Sequence, residues 1–295
     1  MKLKKYLLFA FAGTSLVASF TGCQSEDEFL TEHSYKFDDQ TFYRSQSDME
    51  MALNGCYRQL QSLMMGQTHG GHSWMIMGLG LDTFGETGGN NRFANWDNLN
   101  SSEGLTRHWY DNLYTMINRA NTVIDMMDER SEIAYSSAEK KAQLRATAIF
   151  FRGWSYRVLA GMYGNVPILE HHATEITIGY VPASRQEVWE FCKEDLTYAA
   201  QNLPLKAEKP GQIVRAAADH YLAEINLALG DFNGAVDAAS RVIDGTDGDF
   251  HLMTTRFGSR ALRQREHLTW HFRQSQAGNK PHYHPKDKLR YHPLS

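Results

Sequence analysis

The stretch Val214–Ile243, VRAAADHYLAEINLALGDFNGAVDAASRVI, decides the fold. Val214, Ala218, Tyr221, Ile225 and Leu229 recur every three or four residues, the spacing of one apolar helix face. Gly230-Asp231 then breaks the pattern, as a glycine does when it closes a helix. Ala235, Ala239, Val242 and Ile243 resume it, and the small side chains at Ala235 and Ala239 let two helices approach closely. Leu229-Gly230-Asp231-Phe232 followed by those alanines reads as the turn and second helix of a tetratricopeptide repeat, with a generic helical hairpin as the alternative. No strict 34-residue period runs through the rest, so the array is irregular.

Upstream, three Ser-x-x-Glu pairs mark helix starts: Ser47/Glu50, Ser136/Glu139 and Ser184/Glu187. Such a pair satisfies two otherwise unpaired N–H groups reciprocally. Apolar stripes follow. After Ser184 come Val188, Cys192, Leu196, Ala199 and Leu203, stopped by Pro204. After Ser136 come Leu144, Ala148, Phe151, Ser155, Leu159 and Met162, stopped at Gly164. Trp109, Leu113, Met116, Ala120, Ile124 and Met127 form another stripe. The expected fold is mainly α, built from irregular tetratricopeptide-like helical hairpins with long loops. Two stretches fall outside the helices. Residues 66–104 are rich in glycine and hold Trp74 and Trp96. Residues 164–183 contain Gly164-Asn165-Val166-Pro167 and the run Thr174–Ile178, which predicts short strands or an extended crossover.

With 295 residues, 42% hydrophobic and 12% aromatic, the chain is no disordered, collagen-like or disulfide-stapled sequence. Its net charge of −4 conceals an uneven distribution. Residues 1–22 carry three Lys and no acid, and residues 260–295 carry eight Lys or Arg against two acids. Residues 23–259 are left with 19 basic and 32 acidic side chains, a charge of −13. An acidic body argues against nucleic-acid binding, which needs a basic face for phosphates.

The N-terminus reads as an address. Lys2, Lys4 and Lys5 precede a mostly apolar run from Tyr6 to Phe20, too short for a good membrane span. Thr21-Gly22-Cys23 then resembles a lipobox, making residues 1–22 a lipoprotein signal peptide and Cys23 the lipidated residue. An ordinary signal peptide with an incidental cysteine is the alternative. A multiply acylated cysteine meets the need for more than one chain in stable anchoring. Gln24-Ser25-Glu26-Asp27-Glu28 opens an acidic tether and N-terminal arm over residues 23–45. The remaining cysteines, Cys56 and Cys192, are expected as small core side chains.

Several motifs together carry a family resemblance. They are Phe29-Leu30, Phe42-Tyr43, Ala52 to Tyr57 with Leu60, Trp109, Leu113-Tyr114, Ile117, and Ala120-Asn121 with Val123-Ile124. Ala146, Phe150 to Arg152, Tyr156, Leu159 and Tyr163-Gly164-Asn165-Val166-Pro167 complete the series. In that order they resemble the N-terminal half of the SusD/RagB nutrient-binding lipoproteins of Bacteroidetes. The acidic residues after Cys23 resemble the export signal of lipoproteins sent to the cell surface. The resemblance implies an outer-membrane, surface-exposed protein that binds glycan or peptide nutrient and serves a SusC-like TonB-dependent transporter. No enzyme activity, no cofactor and no nucleic-acid partner are expected. The resemblance covers residues 23 to about 259, with the helical domain at 46–259.

Within the loop 66–104, Asp82, Arg92, Asn95, Trp96 and Asn98 are the candidate ligand-binding residues. A saccharide offers apolar C–H faces fringed by hydroxyls, so its site wants a flat ring beside amides, carboxylates and a guanidinium. The competing reading is a loop folded onto the scaffold, with Trp96 and Phe93 as packing anchors. Asp82 and Glu86 suggest the paired carboxylates of a glycosidase, but nothing near them raises protonation of either, so no catalytic residue is expected. His69/His72, His171-His172, His267/His271 and His282/His284 lack the Glu of a His-Glu-x-x-His site and are read as incidental, with no metal expected. Arg145, Arg152 and Arg157 are expected to pair with acids of neighbouring helices or to lie in solvent rather than to clamp an anion, and Trp109 to lie in the core. Residues 260–295 gather five of the thirteen histidines with Pro281, Pro285 and Pro293. This tail is expected to be disordered or out of frame and the chain to be a truncated family member, with a purposeful basic tail as the rival.

Overall fold

The computed structural model describes residues 42–65, 103–175 and 177–248, with 67–68, 71–72, 78, 81, 100 and 250. Six α-helices form among them: α1 (Gln46–Met65), α2 (Gly104–Glu129), α3 (Ala138–Tyr163), α4 (Arg185–Asn202), α5 (Arg215–Leu229) and α6 (Phe232–Ile243). A two-residue hairpin, β1 (Gln67–Thr68) with β2 (Gly71–His72), follows α1. The fold is mainly helical, as the periodicity requires.

The caps show how local sequence sets each boundary. At α4 the expected box is present: Glu187 N–H donates to Ser184 Oγ at 3.3 Å and Ser184 N–H to Glu187 Oε2 at 2.7 Å. At α3 the cap is Ser137, accepting from Lys140 N–H at 3.0 Å, one residue beyond the expected Ser136. Ser136 donates its own N–H to Gln46 Oε1 at 2.8 Å, which ties it to α1. At α1 the pair is Ser45/Asp48 instead of Ser47/Glu50, with Asp48 Oδ2 accepting from Ser45 Oγ at 2.8 Å. Between α5 and α6, Gly230 adopts φ +79°, and Asp231 caps α6 by accepting from Gly234 N–H at 2.9 Å. That left-handed residue turns the chain back upon itself at little steric cost.

Consecutive helices pack against one another throughout, and α1, α3 and α5 also touch as alternate members. That pattern is a row of stacked hairpins. The main core joins Trp109, Leu113 and Met116 of α2 with Phe151, Tyr156 and Leu159 of α3 and Val188, Cys192 and Leu196 of α4. A second cluster packs Met49 and Leu53 of α1 with Met126 and Met127 of α2 and Ala148 of α3. Trp109 is fully buried, as its stripe predicts. Cys56 and Cys192 are free and buried, and burial pushes the Cys56 thiol up to about 12. The close approach of α3 and α4 depends on Gly153, where an added Cβ would meet Asp195 Cβ at 2.9 Å. One expectation fails on α6. Its inner face is Ala235 and Ala238, while Ile243 is 75% exposed, because the helix is rotated so that Phe232, Val236 and Ile243 point outward.

Candidate functional site

The expected ligand residues Asp82, Arg92, Asn95, Trp96 and Asn98 lie outside the described residues, as do Cys23, Glu86 and the tail 260–295. What the fold shows is the ground on which the loop 66–104 stands. It leaves α1 just after Leu63 and Met64, of which Leu63 is fully buried. The hairpin β1–β2 contacts α2. The chain re-enters at α2 with Leu105 and Trp109 in the core, and Tyr163 Oη donates to Thr106 O at 2.6 Å. Both bases of the loop are thus fixed to packed helices, and Leu81 is 57% exposed.

Beside the first base lies a cavity of about 550 Å³, bordered by Met64 of α1, Trp154, Arg157 and Met162 of α3, Trp189 of α4 and Tyr221 of α5. Its walls combine aromatic rings with a guanidinium. That guanidinium pairs with Glu224 and sits 4.8 Å from the Tyr221 ring centre. A second cavity, of about 350 Å³, opens between α1, the start of α3 and residues 204–213, where Lys140 pairs with Glu208 at 2.8 Å.

Across the other side of α2 and α3, residues 166–173 form a strap whose backbone is held by side chains. Tyr114 Oη donates to Pro167 O at 2.8 Å, and Asn121 Nδ2 donates to Leu169 O at 2.8 Å and His171 O at 3.1 Å. Leu169 N–H donates to Tyr156 Oη at 2.6 Å, and Ala173 N–H to Asn118 Oδ1 at 2.8 Å. Arg152 links the strap to the core, donating to Glu170 O and Asn121 Oδ1 while forming a two-pronged pair with Asp195 at 2.9 and 2.7 Å. Burial pushes the Asp195 carboxyl up against the pull of that guanidinium. The crossover is extended, with Val166 and Ala183 exchanging one pair of backbone bonds; this is the extended alternative, and no strand forms over its described residues.

His171 and His172 pack around one carboxylate. Both meet Asp125, through His171 Nδ1 at 3.0 Å and His172 Nδ1 at 2.7 Å, and His172 N–H adds a bond of 2.8 Å. Burial works against the Asp125 carboxylate, but these hydrogen bonds hold it below the usual range, and the same contact raises His171. Sequence reasoning missed this cluster because its members lie 46 and 47 positions apart. The three arginines behave as expected: Arg145 pairs with Asp128, Arg152 with Asp195 and Arg157 with Glu224. They brace helices instead of forming an anion clamp.

Residues 28–227 match a family profile described as SusD-like, starch-binding associating with outer membrane. The chain belongs to the SusD-like family. A SusD-like protein P2 of Formosa agariphila is 26% identical over 211 residues, covering 70% of this chain and 40% of that relative. Among solved structures, a SusD superfamily protein of Bacteroides vulgatus superposes with a TM-score of 0.62 at 20% identity, over 72% of this chain and 46% of that one. A laminarin-binding SusD-like protein superposes at 0.57 with 19% identity, over 68% and 44%. This SusD-like chain therefore spans less than half the length of the relatives it matches. The family match takes in residues 28–45 and the whole loop 66–104, and it ends within α5. No helix among the described residues is long and apolar enough to cross a membrane.

Proposed function

We propose that the chain is a glycan-binding lipoprotein of the outer membrane, anchored at Cys23 and exposed at the cell surface, that passes its ligand to a SusC-like TonB-dependent transporter. The observation that carries this reading is the family match over residues 28–227, whose profile is described as starch-binding and associated with the outer membrane. The signal-like residues 1–22 and the acidic tether supply the address. The helical hairpins act as a rigid mount, residues 46–259 forming one binding unit. Loop 66–104 supplies the site, with Trp96 as the stacking ring and Asp82, Arg92, Asn95 and Asn98 as the polar fringe. Aromatic stacking and a few convergent polar groups suit a sugar's alternating apolar and hydroxylated faces. No covalent chemistry is assigned to these residues.

Calorimetric titration with starch-derived and laminarin-derived oligosaccharides tests the ligand class. Saturable binding of either supports the reading. No heat from any glycan, together with binding of a peptide, would move the assignment to a tetratricopeptide-like peptide scaffold; the cavity bordered by Trp154, Trp189 and Tyr221 is the feature that favours this second reading.

A further inference from the structure

The outer face of α6 carries the large apolar side chains that its inner face lacks. Toward α5 the helix buries only Ala235 and Ala238, while Phe232, Val236 and Ile243 are 68%, 62% and 75% exposed. With the half-buried Ala239 they fall at spacings of four, three and four residues, the seam by which a helix receives a partner. Side chains of this size seldom share one solvent face unless something docks there. Asp237 and Asp244, both exposed and seven residues apart, follow one edge of the stripe, and no ion pair among the described residues engages either. The other charges of the helix are already matched: Arg241 pairs with buried Asp219, and the capping Asp231 pairs with Lys193 at 2.7 Å. What remains is an apolar stripe with an acidic edge.

A second copy of the chain would bring the same two acids against themselves, which like-charge repulsion opposes. The complementary partner is apolar and basic, and the chain carries one. Between residues 260 and 273 the sequence holds Arg260, Arg263, Arg265 and Arg273 against the single acid Glu266. Leu268, Trp270 and Phe272 stand at alternate positions there, so an extended run presents all three on one side. They would span about 13 Å at about 3.3 Å per residue, within the stripe's length of about 17 Å at about 1.5 Å per residue. Residues 249–267 separate Gly248 from Leu268, a tether of ample reach that holds the segment at an effective concentration on the order of millimolar.

We propose that residues 260–273 fold back onto the outer face of α6. Leu268, Trp270 and Phe272 cover Phe232, Val236 and Ile243, and the arginines lie along Asp237 and Asp244. The basic tail thereby closes the open end of the row of hairpins.

Paramagnetic broadening in the full chain tests this contact. Cys23→Ser removes the competing thiol, Ser275→Cys takes a nitroxide, and the fully buried Cys56 and Cys192 stay unlabelled. The methyl signals of Val236 and Ile243 should lose intensity, while those of Val188, buried in the core on α4, should not. The loss should fade as salt shortens the screening length from about 10 Å at 0.1 M to about 3 Å at 1 M. Asp237→Asn with Asp244→Asn should weaken it at low salt, and Val236→Ser should restore the Ile243 signal. These positions are exposed, and far-UV dichroism should show the helices unchanged. Full methyl intensity in the wild type overturns the proposal, as does a loss that Val236→Ser leaves unchanged. Broadening transferred from a spin-labelled chain to a separate isotope-labelled one would assign the face to a second copy and overturn it as well.

Discussion

Removing Asp195 should strip a buried guanidinium of its main partner while leaving its smaller ones. Arg152 and Asp195 side chains are 12% and 6% exposed, and two bonds of 2.9 and 2.7 Å join them. Breaking one side of a buried pair costs about 3–5 kcal/mol, because the surviving charge is left desolvated. Here Arg152 retains Asn121 Oδ1 at 3.1 Å and Glu170 O at 3.2 Å, so Asp195→Asn should sit at the low end, about 3 kcal/mol. Arg152→Met should cost about 2 kcal/mol, since an unpaired Asp195 whose carboxyl burial already raises can take up a proton. The double variant should lose no more than Asp195→Asn alone, leaving a coupling of about 2 kcal/mol. Urea unfolding followed by far-UV dichroism measures all three. A loss below about 1 kcal/mol for Asp195→Asn, or losses that simply add in the double variant, would refute the view that this pair ties α3 to α4.

Gly153→Ala should destabilise by about 1–3 kcal/mol, because its Cβ would stand 2.9 Å from Asp195 Cβ; a melting temperature equal to the wild type's would contradict the close-packing account. His171 should titrate above its ordinary value through its bond to Asp125, so the contact's contribution is full below about pH 6.5 and fades as pH rises through the raised value. In Asp125→Asn the His171 midpoint, followed by imidazole NMR, should move down, and an unmoved midpoint would show that Asp125 does not set it. Cys23→Ser should release the chain from the membrane fraction of cells that export it; retention there would remove the anchor from Cys23.

Periodicity made the helices legible because a buried face must repeat every three or four residues wherever one side meets a core. Trp109, Leu113 and Met116 lie where their stripe puts them, and the Ser184/Glu187 box is present in full. Boundaries slipped where neighbours compete for the same role. Ser136 and Ser137 are chemically equal caps, and the bond from Ser136 N–H to Gln46, 90 residues away, is not visible in local spacing. The orientation of α6 was misread for a related reason: alanines fill two adjacent columns of that helix, so either could face α5. The Asp125 cluster and the bonds from Asn121 to the strap join residues some 50 positions apart, a distance at which sequence spacing carries no geometric information. The loop 66–104 shows its residue types in the sequence, whereas the described structure fixes its two bases alone.

The central claim is that this loop binds glycan through Trp96, and paired isotherms and thermal melts of the wild type and Trp96→Ala test it most directly. Stacking predicts that the variant loses oligosaccharide binding while its melting temperature stays within a few degrees of the wild type's. Unchanged binding would contradict the claim. So would a loss of stability of about 3–5 kcal/mol, the cost of truncating a tryptophan in a core, since Trp96 would then be a packing anchor.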